Sequence, residues 1–197
     1  VAQVSGSATA WVVNGFVDEL RRTFASGADH LTWFCVEFSP ERLSWRQFRS
    51  DILGETDPAR AKEDSIRGQL HRHWQELALQ APPTTLNNCV HASNGPLEGL
   101  RECLLWTGMP LEDHAFGRSL LSAGVPRATL EAWLENPSVR DWGAAGSSGP
   151  LFACTEECEH AEVRQAAVQQ VLQDGGRLEL WQMSVKRLDQ RRGWGPP

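Results

Sequence analysis

Tyrosine is absent from this chain of 197 residues, and so is any stretch approaching the roughly eighteen uninterrupted apolar residues that a membrane helix needs. The opening residues lack a signal-peptide pattern. A soluble, cytoplasmic protein with no membrane partner is the expectation. Basic charge is not in excess: 25 acidic against 19 basic residues leave a net charge of −6, which argues against nucleic acid or an anionic membrane as a partner. The 5 cysteines, Cys35, Cys89, Cys103, Cys154 and Cys158, form an odd and scattered set, so reduced thiols are expected rather than a disulfide framework. No metal site is expected either. Cys154, Cys158 and His160 lack a clear fourth ligand, and His71 and His73 lack a third. The chain starts at Val1 rather than Met, which suits a processed product or a segment of something longer.

Against these absences stand 41% apolar residues, enough to bury a core in one compact domain with an extension. Thr9 to Val13 reads as a strand, Phe16 to Phe24 as a helix with Val17, Leu20 and Phe24 in register, and Leu31 to Phe38 as a strand covered on both faces. Ser39 to Leu53 has room for one short helix presenting Trp45, Phe48 and Ile52. Asp57 to Leu70 reads as a loop, His71 to Leu79 as a short helix, and Leu86 to Val90 as a strand. Pro96 to Trp106 predicts a helix with Leu97, Leu100 and Leu104 as its buried stripe. A helical pair follows, Phe116 to Ala123 and Ala128 to Leu134, then a Gly/Ser linker from Gly143 to Pro150. A helix from Glu156 to Leu172, an edge strand from Arg177 to Val185 and a mobile tail from Lys186 complete the chain.

The most informative stretch runs from Asn88 through Cys89, Val90, His91, Ala92, Ser93 and Asn94 to Gly95 and Pro96. A capping side chain, a turn residue and a proline together announce a helix start. His91 is thereby expected beside a helix N-terminus, where free backbone N–H groups and the helix dipole favour phosphate. An imidazole at such a place has what a phosphate-accepting nucleophile needs.

Three motifs in order carry a resemblance. Asn88, His91, Ser93 and Asn94, followed by Glu102 eleven residues after the histidine, form an N-x-x-H-x-S-[DN] segment with a trailing glutamate. Upstream lie Leu53-Gly54-Glu55-Thr56-Asp57-Pro58-Ala59 and Ser65-Ile66-Arg67-Gly68. Together they resemble the LGxTxPxxA, T-I-R-G and active-site segments of nucleoside diphosphate kinases. The resemblance implies an α+β fold with a ferredoxin-like antiparallel sheet and helices on its faces, over residues 9–108. It leaves a flexible N-terminus at 1–8, a mainly helical extension at 109–185 and a flexible tail at 186–197. It further implies that His91 is the phosphorylated residue, that Glu102 holds the ring nitrogen that does not attack, and that Ser93 donates to a phosphate oxygen. Thr56, Arg67, Asn88 and Arg49 would hold the nucleotide, ATP or a nucleoside diphosphate, with Mg²⁺ bridging its phosphates. A homo-oligomer or larger assembly is also implied.

The chain departs from that family between its second strand and the LGxTxP segment, where the base-clamping helical hairpin is missing. The family's phosphate-binding lysine has Asn14 near its place, its active-site tyrosine has no counterpart, and Arg49 is displaced by one position. Two functions follow from the resemblance. One is phosphotransfer through phosphohistidine at His91; the other is a catalytically weak or inactive scaffold, since similar domains occur within ciliary and flagellar proteins.

Overall fold

The computed structural model describes residues 31–173, and the chain divides into two compact units, Val1–Val36 and Glu37–Pro197. The expected strand at Thr9 to Val13, helix at Phe16 to Phe24, edge strand at Arg177 to Val185 and both termini lie outside the described residues. In the first unit, residues 31–36 adopt neither helix nor strand and their side chains are exposed, Phe34 to 79%. The expected strand from Leu31 to Phe38 is therefore not formed. Its β-rich composition expresses fit to a half-buried pleated surface rather than a backbone preference; the side chains of residues 31–37 are exposed, while Phe38 packs on Phe48 and Trp45.

The second unit opens with a capping box. The Ser44 hydroxyl accepts from the Gln47 N–H at 3.1 Å, and the Gln47 side-chain oxygen accepts from the Ser44 N–H at 3.0 Å. This starts α1, Trp45–Gln47, which continues as a π-helical turn over Phe48–Leu53. The wider turn shifts the buried face, so Leu53 is buried while Ile52, expected beside Trp45, is exposed. Gly54, at φ +93°, ends it. The next helix, α2, spans Ile66–Arg72, earlier than the helix expected from His71 and inside the expected loop. Ser65 begins it by accepting from the Gly68 N–H at 3.2 Å, and turns follow from Trp74. The expected strand from Leu86 to Val90 is replaced by an isolated bridge between Thr84 and Asn87, and a left-handed Cys89 at φ +66° interrupts the extended run.

From Pro96 the helical expectations hold closely. Helix α3 spans Pro96–Thr107, α4 Ala115–Ser122 and α5 Arg127–Trp133. The segment read as a linker is instead half of a hairpin. Strand β1, Ser138–Trp142, pairs antiparallel with β2, Ser147–Pro150, in the register Ser138 to Pro150 and Val139 to Gly149. Gly143 and Gly146, each at φ +64°, supply the turn between them. A short α6, Leu151–Cys154, follows, and then α7, His160–Gln173. Helix α7 starts four residues later than expected, because Glu157 takes a left-handed φ of +57°.

Apolar residues at helical spacing converge on one core: Leu97 and Leu100 of α3, Phe116 and Leu120 of α4, Leu130 and Trp133 of α5, and Val163 and Ala167 of α7. This core runs continuously across Gly108, joining the helix after His91 to α4, α5, the hairpin, α6 and α7. The described residues thus combine helices with one small antiparallel sheet, an α+β arrangement. Among them no helix is long and apolar enough to cross a membrane. Trp133 is fully buried and meets Trp142 edge-on, ring centroids 5.0 Å apart. Trp133→Ala is expected to cost about 3–5 kcal/mol through lost burial and the cavity left behind, read as a lowered midpoint in urea denaturation.

Candidate functional site

The three sequence motifs meet in space because one buried cation joins them. Arg67, on the first turn of α2, is 8% exposed. Its Nη1 donates to the Gly54 carbonyl and its Nη2 to the Val90 carbonyl, each at 2.8 Å. Close packing makes this reach possible. A Cβ at Gly68 would lie 2.0 Å from the Lys62 carbonyl oxygen, and one at Gly54 would lie 2.4 Å from Ser65 Oγ. A second tie links the same segments, since the Asn88 side-chain amide donates to the Thr56 carbonyl at 3.3 Å.

Arg49, on the π-helical turn, grips the far side of the histidine loop. Its Nη1 lies 3.2 Å from the Ser93 carbonyl and 2.9 Å from Asn94 Oδ1. His91 therefore stands between two loop residues held by Arg67 and Arg49. The His91 side chain is 68% exposed.

One edge of that ring is set by α3. Glu102 lies at the helical position whose carboxylate reaches back over the first turns, and its Oε1 accepts from His91 Nε2 at 2.7 Å. The other carboxylate oxygen accepts from the Ser93 hydroxyl at 2.5 Å. This hydrogen bond from the ring to Glu102 raises the His91 pKa, outweighing burial, and the charges of Glu102 and Glu98 add to the rise. Burial pushes the Glu102 carboxyl up, but the hydrogen bonds from His91 and Ser93 together hold it below its ordinary value. Nε2 is thus the nitrogen that carries a proton, and Nδ1 is left without a hydrogen-bond partner among the described residues. The Ser93 hydroxyl, expected to donate to a phosphate oxygen or to help cap the helix, donates to Glu102 in this structure. Asn94 was expected to cap α3. Gly95 stands at that position instead, packed so tightly that a Cβ there would lie 2.4 Å from the Thr155 carbonyl oxygen.

Beside this loop lies an open cleft of about 530 Å³. Three of the four residues expected to bind nucleotide, Arg49, Thr56 and Arg67, line it, together with Arg60 and three carboxylates, Glu55, Asp57 and Glu157. Asn88 and His91 are not part of the lining; they adjoin it through Thr56 and through Val90, whose carbonyls accept from Asn88 and Arg67. Burial and the neighbouring Arg49 charge lower the Arg67 pKa, as expected for two cations facing one space.

Glu156 and Glu157 are the residues that sequence reasoning missed. Glu156 Oε1 lies 3.1 Å from Arg49 Nη2, and Glu157 Oε1 lies 3.7 Å from Arg49 Nε. The acidic run around them was visible in the sequence, but nothing local connects it to an arginine 107 residues away. In the Cys154, Cys158 and His160 cluster both thiols lie against the apolar core, and the His160 ring meets Phe116 edge-on at 4.6 Å. His73 pairs with Glu76 at 3.2 Å. Among the described residues no group of three or more His, Cys, Asp or Glu is arranged to hold a metal ion.

No family model, curated protein or solved structure matches the chain. The geometry itself gives two tests. In Arg67→Lys a single ammonium replaces a fork that spans two carbonyls, and a loss of about 2–3 kcal/mol is expected in chemical denaturation; no change in midpoint would mean that the bridge contributes nothing. In Glu102→Gln the imidazolium loses its carboxylate, so the His91 titration midpoint seen by NMR should fall toward the ordinary histidine value. The sign follows from the raised pKa: the charged pair stabilises the fold fully below the unfolded-state value and is lost as pH rises through the folded one.

Proposed function

We propose that His91 is a phosphoacceptor of the nucleoside diphosphate kinase kind, taking the γ-phosphoryl group of ATP and passing it to a nucleoside diphosphate. The observation that carries the reading is the fixed tautomer: Glu102 holds Nε2 at 2.7 Å while the ring is exposed and Nδ1 has no hydrogen-bond partner among the described residues. Nδ1 attacks the γ-phosphorus as the bond from phosphorus to the β,γ-bridging oxygen breaks, and ADP leaves with that electron pair. The ring becomes N-phosphorylated with its proton kept on Nε2, and the Glu102 carboxylate balances the positive charge that develops. Return transfer to a nucleoside diphosphate reverses these bonds.

The cleft beside the loop supplies binding surface in this proposal, with Arg60 and the remaining N–H groups of Arg49 and Arg67 toward the phosphates. Its oxygen donors Glu55 and Asp57 suit Mg²⁺, which takes carboxylates together with substrate phosphates. When bound, Mg²⁺ neutralises polyphosphate charge. The ferredoxin-like sheet implied by the same resemblance is no support for the proposal, because residues 31–38 and 86–90 form no strand; the proposal rests on the site.

A second reading has its own observation. Arg67 Nη1 and Nη2 and Arg49 Nη1 are engaged with loop oxygens, which is what a scaffold that keeps the shape of the site without turnover would need. Such a module would serve in a larger assembly, of ciliary or flagellar type if the resemblance extends that far. The deciding experiment is incubation with Mg²⁺ and γ-labelled ATP. Acid-labile label on the chain, lost in His91→Ala and formed faster as pH rises through the His91 midpoint, is the expected result. Label that persists in His91→Ala removes His91 from the chemistry, and absence of any label favours the scaffold.

A further inference from the structure

An arginine guanidinium has two faces for pairing, and in Arg49 they are divided. Nη1 is turned to the histidine loop, at the Ser93 carbonyl and Asn94 Oδ1. The remaining edge, Nε with Nη2, is the one that pairs side-on with two oxygens of a single carboxylate or phosphate. In this molecule that edge meets two separate glutamates, Glu156 on Nη2 at 3.1 Å and Glu157 on Nε at 3.7 Å. The match is incomplete. Nε is buried and has no hydrogen-bond partner among the described residues, because the 3.7 Å to Glu157 exceeds hydrogen-bond reach.

The turn that carries these carboxylates is fastened in place. The Glu157 N–H donates to the Asn94 carbonyl at 2.9 Å, Glu157 Oε2 lies 3.2 Å from Arg46 Nε, and the Glu159 carboxylate accepts from the Trp45 N–H at 2.8 Å. Glu157 holds a left-handed φ of +57°, a conformation disfavoured for any residue with a Cβ. It also lines the cleft that Arg60 and Arg67 share.

The geometry points to Glu156 and Glu157 as internal anions that occupy the phosphate-binding edge of Arg49 and set the charge an incoming ligand must bring to displace them. They are specificity-determining residues of the cleft, which favours polyphosphates over singly charged anions. A phosphate group offers two oxygens to one guanidinium edge and satisfies the buried Nε that the carboxylates leave unpaired. The inference rests on the polyphosphate reading of the cleft for its ligand class, and not on transfer to His91.

The test uses the full chain with inorganic triphosphate, followed by calorimetric titration and by the NMR signal of the Arg49 Nε–H group. Glu156→Gln combined with Glu157→Gln is expected to bind triphosphate about three- to tenfold more tightly than the unsubstituted chain, the scale set by removing the two partly exposed ion pairs on Arg49. The Arg49 signal should shift as triphosphate is added. Equal or weaker binding by the double variant, or binding by neither protein, overturns the inference. If circular dichroism shows the double variant unfolded, the two single variants carry the same test, each with part of the gain. Failure of the phosphohistidine reading looks different: tighter triphosphate binding without any label from ATP on His91 leaves the role of the glutamates intact and removes the chemistry.

Discussion

A guanidinium taken out of water has to find acceptors, and in this protein Arg67 finds them on two loops distant in sequence. Its bonds to Gly54 and Val90 draw the segment after the π-helical turn against the segment before His91. The cost of burying the charge is offset only while both carbonyls stay within reach. The surrounding sequence follows from that requirement. Ser65 must start α2 at the right place, Gly68 must let the helix approach the Lys62 carbonyl, and Gly54 must turn where a side chain would strike Ser65. A motif that looks like a signature of chemistry is therefore also a packing solution.

The site that results is unevenly prepared. Its proposed nucleophile, His91, has an exposed ring, one ring nitrogen held by a carboxylate, and that carboxylate held in turn by a serine. Its cations are partly committed to the protein itself, Arg67 to two carbonyls and Arg49 to the loop on one edge and to two glutamates on the other. The cleft lining balances three arginines with three carboxylates, so it lacks the strong positive field that commonly surrounds a polyphosphate. The two proposed functions, phosphotransfer and scaffolding, differ in whether an outside anion can compete with the inside ones.

The helices downstream of α3 are part of this balance. Leu97 and Leu100 pack into the same core as Phe116, Leu130 and Val163, so the helix that carries Glu102 is seated by residues far along the chain. The turn before α7 then returns to the histidine loop, bonding its backbone at Asn94 and crowding Gly95.

The helices from α3 to α5 were legible in the sequence because their apolar residues repeat at helical spacing and Gly, Pro and capping residues mark their ends, signals that are local. So was the pairing of His91 with Glu102, through the resemblance that fixed their separation. The run from Leu31 to Phe38 was not, since a β-rich composition does not decide whether a strand forms. Nor was the hairpin at Ser138–Pro150, whose Gly/Ser half reads as a linker until β1 supplies its hydrogen bonds. The sequence by itself determined the helical stripes and the ring with its carboxylate. Tertiary structure alone decided that Arg67 bridges two loops and that Glu156 and Glu157 face Arg49, because hydrogen bonds and ion pairs between distant residues depend on positions in space that no local pattern of residues encodes.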